Sequence, residues 1–174
     1  MTVHRSASII AATLAALCLS VPAAHAQVAK ATLKSADGKT VGEANLVQGS
    51  HGVLIRLTIS GLPAGQHAVH VHAVGKCEPP FDSAGGHFNP AAKKHGIEAA
   101  EGAHAGDMPN LHVPSSGDLA VEILNTDITL EKGRPNSVFD TDGSALVVHA
   151  NADDYKSDPA GNAGGRIACG VITE

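Results

Sequence analysis

Residues 68–73 read Ala-Val-His-Val-His-Ala, and this short alternation limits the possible folds more than any other stretch of the chain. In an extended strand successive side chains point to opposite faces, so His70 and His72 share one face while Val69 and Val71 point into a core. Read as a strand, this stretch belongs to a sheet with one apolar face. The same period of two runs through residues 53–59, where Val53, Ile55, Leu57 and Ile59 alternate with Leu54, Arg56 and Thr58.

Further β-rich runs occupy residues 28–34, 42–47, 68–73, 119–124, 127–131, 145–150 and 166–172. Turn signals lie between many of them: Asp37-Gly38, Gly61-Leu62-Pro63, Ser116-Gly117-Asp118, Lys132-Gly133 and Asp142-Gly143. About eight short strands at this spacing predict an all-β barrel or sandwich with an aliphatic core. Two segments break the rhythm, residues 75–114 and 151–165. Loops of that length inside a compact domain are usually functional or disordered.

The amino terminus is organised differently. Arg5 is the only lysine or arginine before Lys30, residues 9–21 are apolar, and Ala24-His25-Ala26 follows Pro22. That order predicts a secretory signal peptide over 1–26, cleaved after Ala26. Thirteen helical residues rise about 20 Å against roughly 30 Å of hydrocarbon, which argues against a membrane anchor. Leu17 before Cys18 argues against a lipoprotein. Cleavage would remove His4, Arg5, Cys18 and His25 and leave one domain over 27–174, with the net charge moving from −5 to −6. Cys77 and Cys169 then remain, and in an oxidising compartment such as the periplasm one disulfide is the default. An acidic chain with 2% aromatic residues is unsuited to nucleic acid, and none of the mature chain is expected to enter a membrane.

The long loop adds His87, His95, His104 and Asp107 to the strand-borne His70 and His72, and His149 closes the apolar run Leu146-Val147-Val148. Three imidazoles and a carboxylate suit tetrahedral zinc, and a metal would give so polar a loop a reason to order. The bland alternatives are half-exposed polar residues on a sheet and a solvated loop. Six histidines and one aspartate make seven ligands, whereas two four-coordinate sites need eight. One shared imidazole would close the count.

The segments AVHVHAVGKC, AGGHFNPAAKKHG, HAGDMPN, LVVHANADD and GNAGGRIACGVI, in that order, resemble copper,zinc superoxide dismutase, and the exported bacterial type above all. The resemblance implies an eight-stranded Greek-key β-barrel that dismutates superoxide to oxygen and hydrogen peroxide, with one copper and one zinc per subunit. It further implies that His70, His72, His87 and His149 bind copper. Zinc is implied at His87, His95, His104 and Asp107, with His87 bridging the two metals and taking part in catalysis. Asp153 would link a copper histidine to a zinc histidine, and Arg166 would guide the small anionic substrate, helped by Lys156 or the lysines of the long loop. Cys77 and Cys169 match the family's disulfide. His51, His67 and His112 are expected to be ordinary residues. The stretch between Cys77 and His87 is longer, and 151–165 shorter, than in eukaryotic members, which bears on the dimer contact; a homodimer is expected, with a monomer as the other possibility. The rival reading is a non-catalytic periplasmic copper- or zinc-binding or copper-delivery protein on the same fold. A zinc hydrolase has less support, since Glu98 and Glu101 supply acids but no open three-ligand site is evident.

Overall fold

A computed structural model describes residues 27–174; the reading of 1–26 as a signal peptide lies outside the described residues. The described chain is built from strands β1 (Val28–Ser35), β2 (Thr40–Gly49), β3 (Gly52–Ile59), β4 (Gly65–His67), β5 (Val69–His72), β6 (Leu111–Val113), β7 (Leu119–Asn125), β8 (Ala145–His149) and β9 (Arg166–Val171). Every strand pairing is antiparallel. The order in the large sheet is β5-β8-β9-β1-β2-β3-β7, and β6 pairs with β4. Only Ala68 separates β4 from β5, so the two form one interrupted strand, and the fold has the expected eight.

Burial follows the sequence alternation. Ala29, Ala31 and Leu33 of β1 and Val53, Ile55, Leu57 and Ile59 of β3 point into one core with Val69, Val71, Leu146, Val148, Leu111 and Val113. Burying each larger aliphatic side chain contributes about 1.5–3 kcal/mol, which fixes strand register, because a one-residue slip would turn the apolar set outward. β8 departs from alternation and is buried on both faces. Its outer residues Ala145 and Val147 lie under Phe81, Ala84 and the Cys77–Cys169 pair.

That outer cover is the long loop, which returns along β5 beyond the reach of β6. The Val71 amide donates to the Gly106 carbonyl, the Phe88 amide to Val71, and the Ala73 amide to Gly86, each near 2.9 Å. The approach is close enough that a Cβ on Gly106 would collide with the Val71 carbonyl. The Cys77–Cys169 disulfide, with Cα atoms 5.6 Å apart, fastens the start of this loop to β9.

Two details differ from the sequence reading. Residues 127–131 form no strand; Gln48 Oε1 accepts from the Leu130 amide at 2.7 Å and from Thr129 Oγ1 at 2.9 Å, and Asn125 Oδ1 caps Asp127. Side chains there take hydrogen bonds that a neighbouring strand would otherwise supply. Conversely, β6 lies inside the segment read as loop, with three residues too few to display a period.

Candidate metal centre

β5 presents His70 and His72 on its outer face, β8 presents His149 at its exit, and the loop lays His87 against His72 and Asp107 against His70. The side chains that alternation placed on the polar face are fully buried, because the loop covers them. One ligand atom from each of His70, His72, His87 and His149 falls within 4.8 Å of the others, as do those of His87, His95, His104 and Asp107. His87 belongs to both quartets, so the shared imidazole needed by the count is present.

The hydrogen bonds show which ring nitrogens remain free; tautomers are assigned here from the acceptors. His70 Nε2 donates to Asp153 Oδ2 at 2.8 Å, leaving its buried Nδ1 without a partner. His72 Nδ1 donates to the Gly85 carbonyl at 3.0 Å and His149 Nδ1 faces the Gly164 carbonyl at 3.4 Å. Their two Nε2 lone pairs then confront each other at 3.3 Å. His87 Nε2 is likewise buried and unpartnered. Four imidazole lone pairs converge on one point with no proton among them.

The second quartet is also short of protons. His95 Nε2 donates to Asp153 Oδ1 at 3.0 Å, so its Nδ1 lone pair faces Asp107 Oδ1 at 3.1 Å. With its Nε2 bare, His87 has its one proton on Nδ1, which donates to that same oxygen at 2.9 Å, while His104 Nδ1 stands 3.4 Å from it. Asp107 Oδ2 is occupied by the Gly96 and His104 amides, both at 3.0 Å. Lone pairs crowding lone pairs in a dry site need a cation to offset them. The residues thus fit two metals: an all-imidazole set suited to copper, and a three-imidazole, one-carboxylate set suited to zinc.

Electrostatics agree. Burial, assisted by the charges of neighbouring rings, pushes His70 down to about 4 and His149 to about 3, so both are neutral at pH 7. Burial would raise Asp107, but the His87 hydrogen bond and the Gly96 amide hold it well below the usual carboxylate range. Neutral imidazole and ionised carboxylate are the ligating forms.

Asp153, 4% exposed, ties His70 to His95 and so joins the two quartets. Its own placement depends on residues that the sequence did not single out. The Asn110 side chain clamps the Asp153 backbone, its Oδ1 accepting from the Asp153 amide at 2.8 Å and its Nδ2 donating to the Asp153 carbonyl at 2.9 Å. The Tyr155 amide donates to Asp153 Oδ1 at 2.7 Å, and the Tyr155 hydroxyl accepts from the Asn110 amide at 2.7 Å. Gly161, at φ +62°, lies so close that a Cβ would fall onto Asp153 Oδ1 and 2.7 Å from His95 Nε2. Asp158 Oδ1 holds the His95 amide at 2.8 Å.

Arg166 is half-buried and fixed from behind, with Nη1 donating to the Phe81 carbonyl and Nη2 to that of Gly85, both at 2.6 Å. Gly85 O therefore serves Arg166 and His72 together. The lysines considered for substrate guidance are partly neutralised: Lys156 pairs with Glu98 at 2.9 Å and Lys94 with Asp158 at 3.3 Å. Of the remaining histidines, His51 and His112 are exposed. His67 is buried between the carbonyls of His149 and Pro63, each 2.9 Å from a ring nitrogen.

Comparison with known proteins gives one consistent picture. The family model for copper/zinc superoxide dismutase matches residues 40–172. Superoxide dismutase [Cu-Zn] 1 of Aquifex aeolicus is 56% identical over 137 residues, covering 78% of this chain and 81% of that protein. Superoxide dismutase [Cu-Zn] of Caulobacter vibrioides is 43% identical over 148 residues, 83% of this chain and 84% of that one. Among solved structures, a superoxide dismutase-like protein from Bacillus subtilis superposes with a TM-score of 0.79 at 39% identity, over 82% of this chain and 96% of that chain.

Proposed function

The chain belongs to the copper/zinc superoxide dismutase family, and from that premise we propose how its own residues serve the conversion of two superoxide anions into oxygen and hydrogen peroxide. Copper, when bound, supplies a one-electron couple that oxidises one superoxide and reduces the next, while zinc supplies a fixed positive charge beside the shared ring. His70 Nδ1 and the Nε2 atoms of His72, His87 and His149 are the copper-holding atoms in this reading. Zinc falls to the Nδ1 atoms of His87, His95 and His104 with Asp107 Oδ1. The observation that carries the assignment is the convergence of buried, unprotonated ring nitrogens, two of them wholly unpartnered.

Each remaining residue has a task that follows from its contacts. Asp153 holds the rings of His70 and His95 by their far nitrogens, which fixes tautomer and tilt in both sites. His87 is the one ring facing both quartets, and its Nε2 is the atom able to hold a proton in one half-reaction and release it in the other. Arg166 keeps three of its five N–H groups free of the loop carbonyls, so a small anion beside His72 and His149 meets a fixed donor and a full charge. A chain of net −5 repels superoxide overall, and this local cation offsets that repulsion at the site.

Residues 1–26 serve as an export signal in this reading, cleaved after Ala26, and 27–174 is the single mature domain in the periplasm. The disulfide supports it, since such bonds persist in oxidising compartments. A homodimer is the assembly read from family resemblance, and sedimentation of the mature protein decides between it and a monomer. The test of function is His149→Ala on copper- and zinc-loaded protein. Superoxide consumption is expected to vanish along with the visible copper band; full activity would overturn the copper assignment. A metal buffer without turnover is the reading that survives if the intact protein binds both metals and consumes no superoxide.

A further inference from the structure

Resting on the zinc assignment above, we propose that the zinc quartet has its own entrance for a divalent cation, separate from the opening that Arg166 flanks. The entrance is a cleft of about 280 Å³ whose walls include Ile97, Ala103, Leu124 and Asp127 and whose floor includes His104 and Asp107. Neither Arg166 nor His70, His72 or His149 lines it, and among the described residues no lysine or arginine does.

Three observations converge on this cleft. His104 is the most exposed side chain of its quartet, at 7% against 2% for His87 and 0% for His95 and Asp107. It is also the least tightly engaged, with Nδ1 3.4 Å from both His87 Nδ1 and Asp107 Oδ1. A ligand so placed meets an arriving ion first and closes behind it. The charge then distinguishes the two openings: Arg166 presents a cation, which draws superoxide and repels Zn²⁺, whereas the one charged side chain exposed along this cleft is the carboxylate of Asp127, with the buried Asp107 carboxylate behind it. Finally, Ile97 and Leu124, 49% and 57% exposed, are two of the three large exposed hydrophobic side chains among the described residues, and both border this cleft.

The test uses metal-free, disulfide-intact protein and Co²⁺, whose tetrahedral absorption reports filling of the quartet without reference to activity. Leu124→Trp and Ile97→Trp, which narrow the cleft, are expected to slow Co²⁺ association and dissociation alike by about fivefold, leaving Kd within about twofold, since a barrier acts in both directions. Asp127→Asn is expected to slow association at low salt and flatten its salt dependence. Leu124→Ala, which widens the cleft, is expected to speed both rates and keeps the question open to measurement should a tryptophan variant not fold. Copper uptake by zinc-loaded protein is expected to keep its rate in every variant. Unchanged Co²⁺ rates in the folded variants overturn the entrance while leaving the zinc site standing, as does an equal slowing of copper uptake. No tetrahedral Co²⁺ spectrum in the unaltered protein overturns the zinc assignment and the entrance together.

Discussion

Arg166 gives two N–H groups to loop carbonyls and keeps its charge beside His72 and His149, so its contribution is separable from metal binding. Arg166→Ala is expected to lower the bimolecular rate with superoxide about tenfold and flatten its dependence on ionic strength while both metals stay bound. An unchanged salt profile would remove the guiding role. Asp153 acts differently, because it touches one ring of each quartet. Asp153→Ala is expected to weaken metal retention about 10–100-fold, read by chelator competition, with zinc and copper affected together; loss confined to one metal would contradict the link. Gly161→Ala is the indirect version, since the added methyl needs the space of Asp153 Oδ1. It should reproduce the chelator sensitivity of Asp153→Ala without replacing a residue of either quartet, although the methyl also presses on the His95 ring.

The disulfide works on the loop that carries both Phe81 and Gly85. Closing 92 residues restricts the unfolded chain, so Cys77→Ser is expected to cost about 4 kcal/mol and to appear as a lower melting temperature in the oxidised protein. It should also lower the superoxide rate, because Arg166 loses the fastened carbonyls; equal rates before and after reduction would separate disulfide from guidance. At this level the strands were legible, since residues 53–59 alternate along the chain as they do in space. So was the meeting of the histidines, since His70 and His72 share a face as the alternation predicts and the structure brings them together with His87 and His149. Residues 127–131 misled because Gln48, far away in sequence, takes their hydrogen bonds. Asn110, Tyr155 and Gly161 were invisible because their roles arise only where the loops 75–114 and 151–165 meet. No local pattern records such a meeting.

Across the whole molecule, folding without metal buries rings that would rather be protonated. The ordinary histidine value is 6.5, and the folded values of about 4 for His70 and about 3 for His149 lie below it. Below pH 6.5 the unfolded chain therefore binds protons that the native rings refuse, and stability falls as pH falls from 6.5 toward 4. The metal-free protein is expected to lose more than about 5 °C of melting temperature across that interval, and the metal-loaded protein distinctly less, because metal occupies the same lone pairs. Equal losses would show that the rings are not what titrates. The carbonyl of Gly85 has a consequence at this same scale. It receives both His72 Nδ1 and Arg166 Nη2, so one main-chain oxygen sets the distance between the His70–His72–His87–His149 quartet and the Arg166 charge. Being backbone, it has no side chain for mutation to exchange. Sequence drift elsewhere in the loop can repaint the surface around the site while the gauge of its opening stays the same; what resets it is a change that moves this backbone, such as a side chain at Gly85 itself, at φ +72°, a different loop length between Cys77 and His87, or loss of the disulfide.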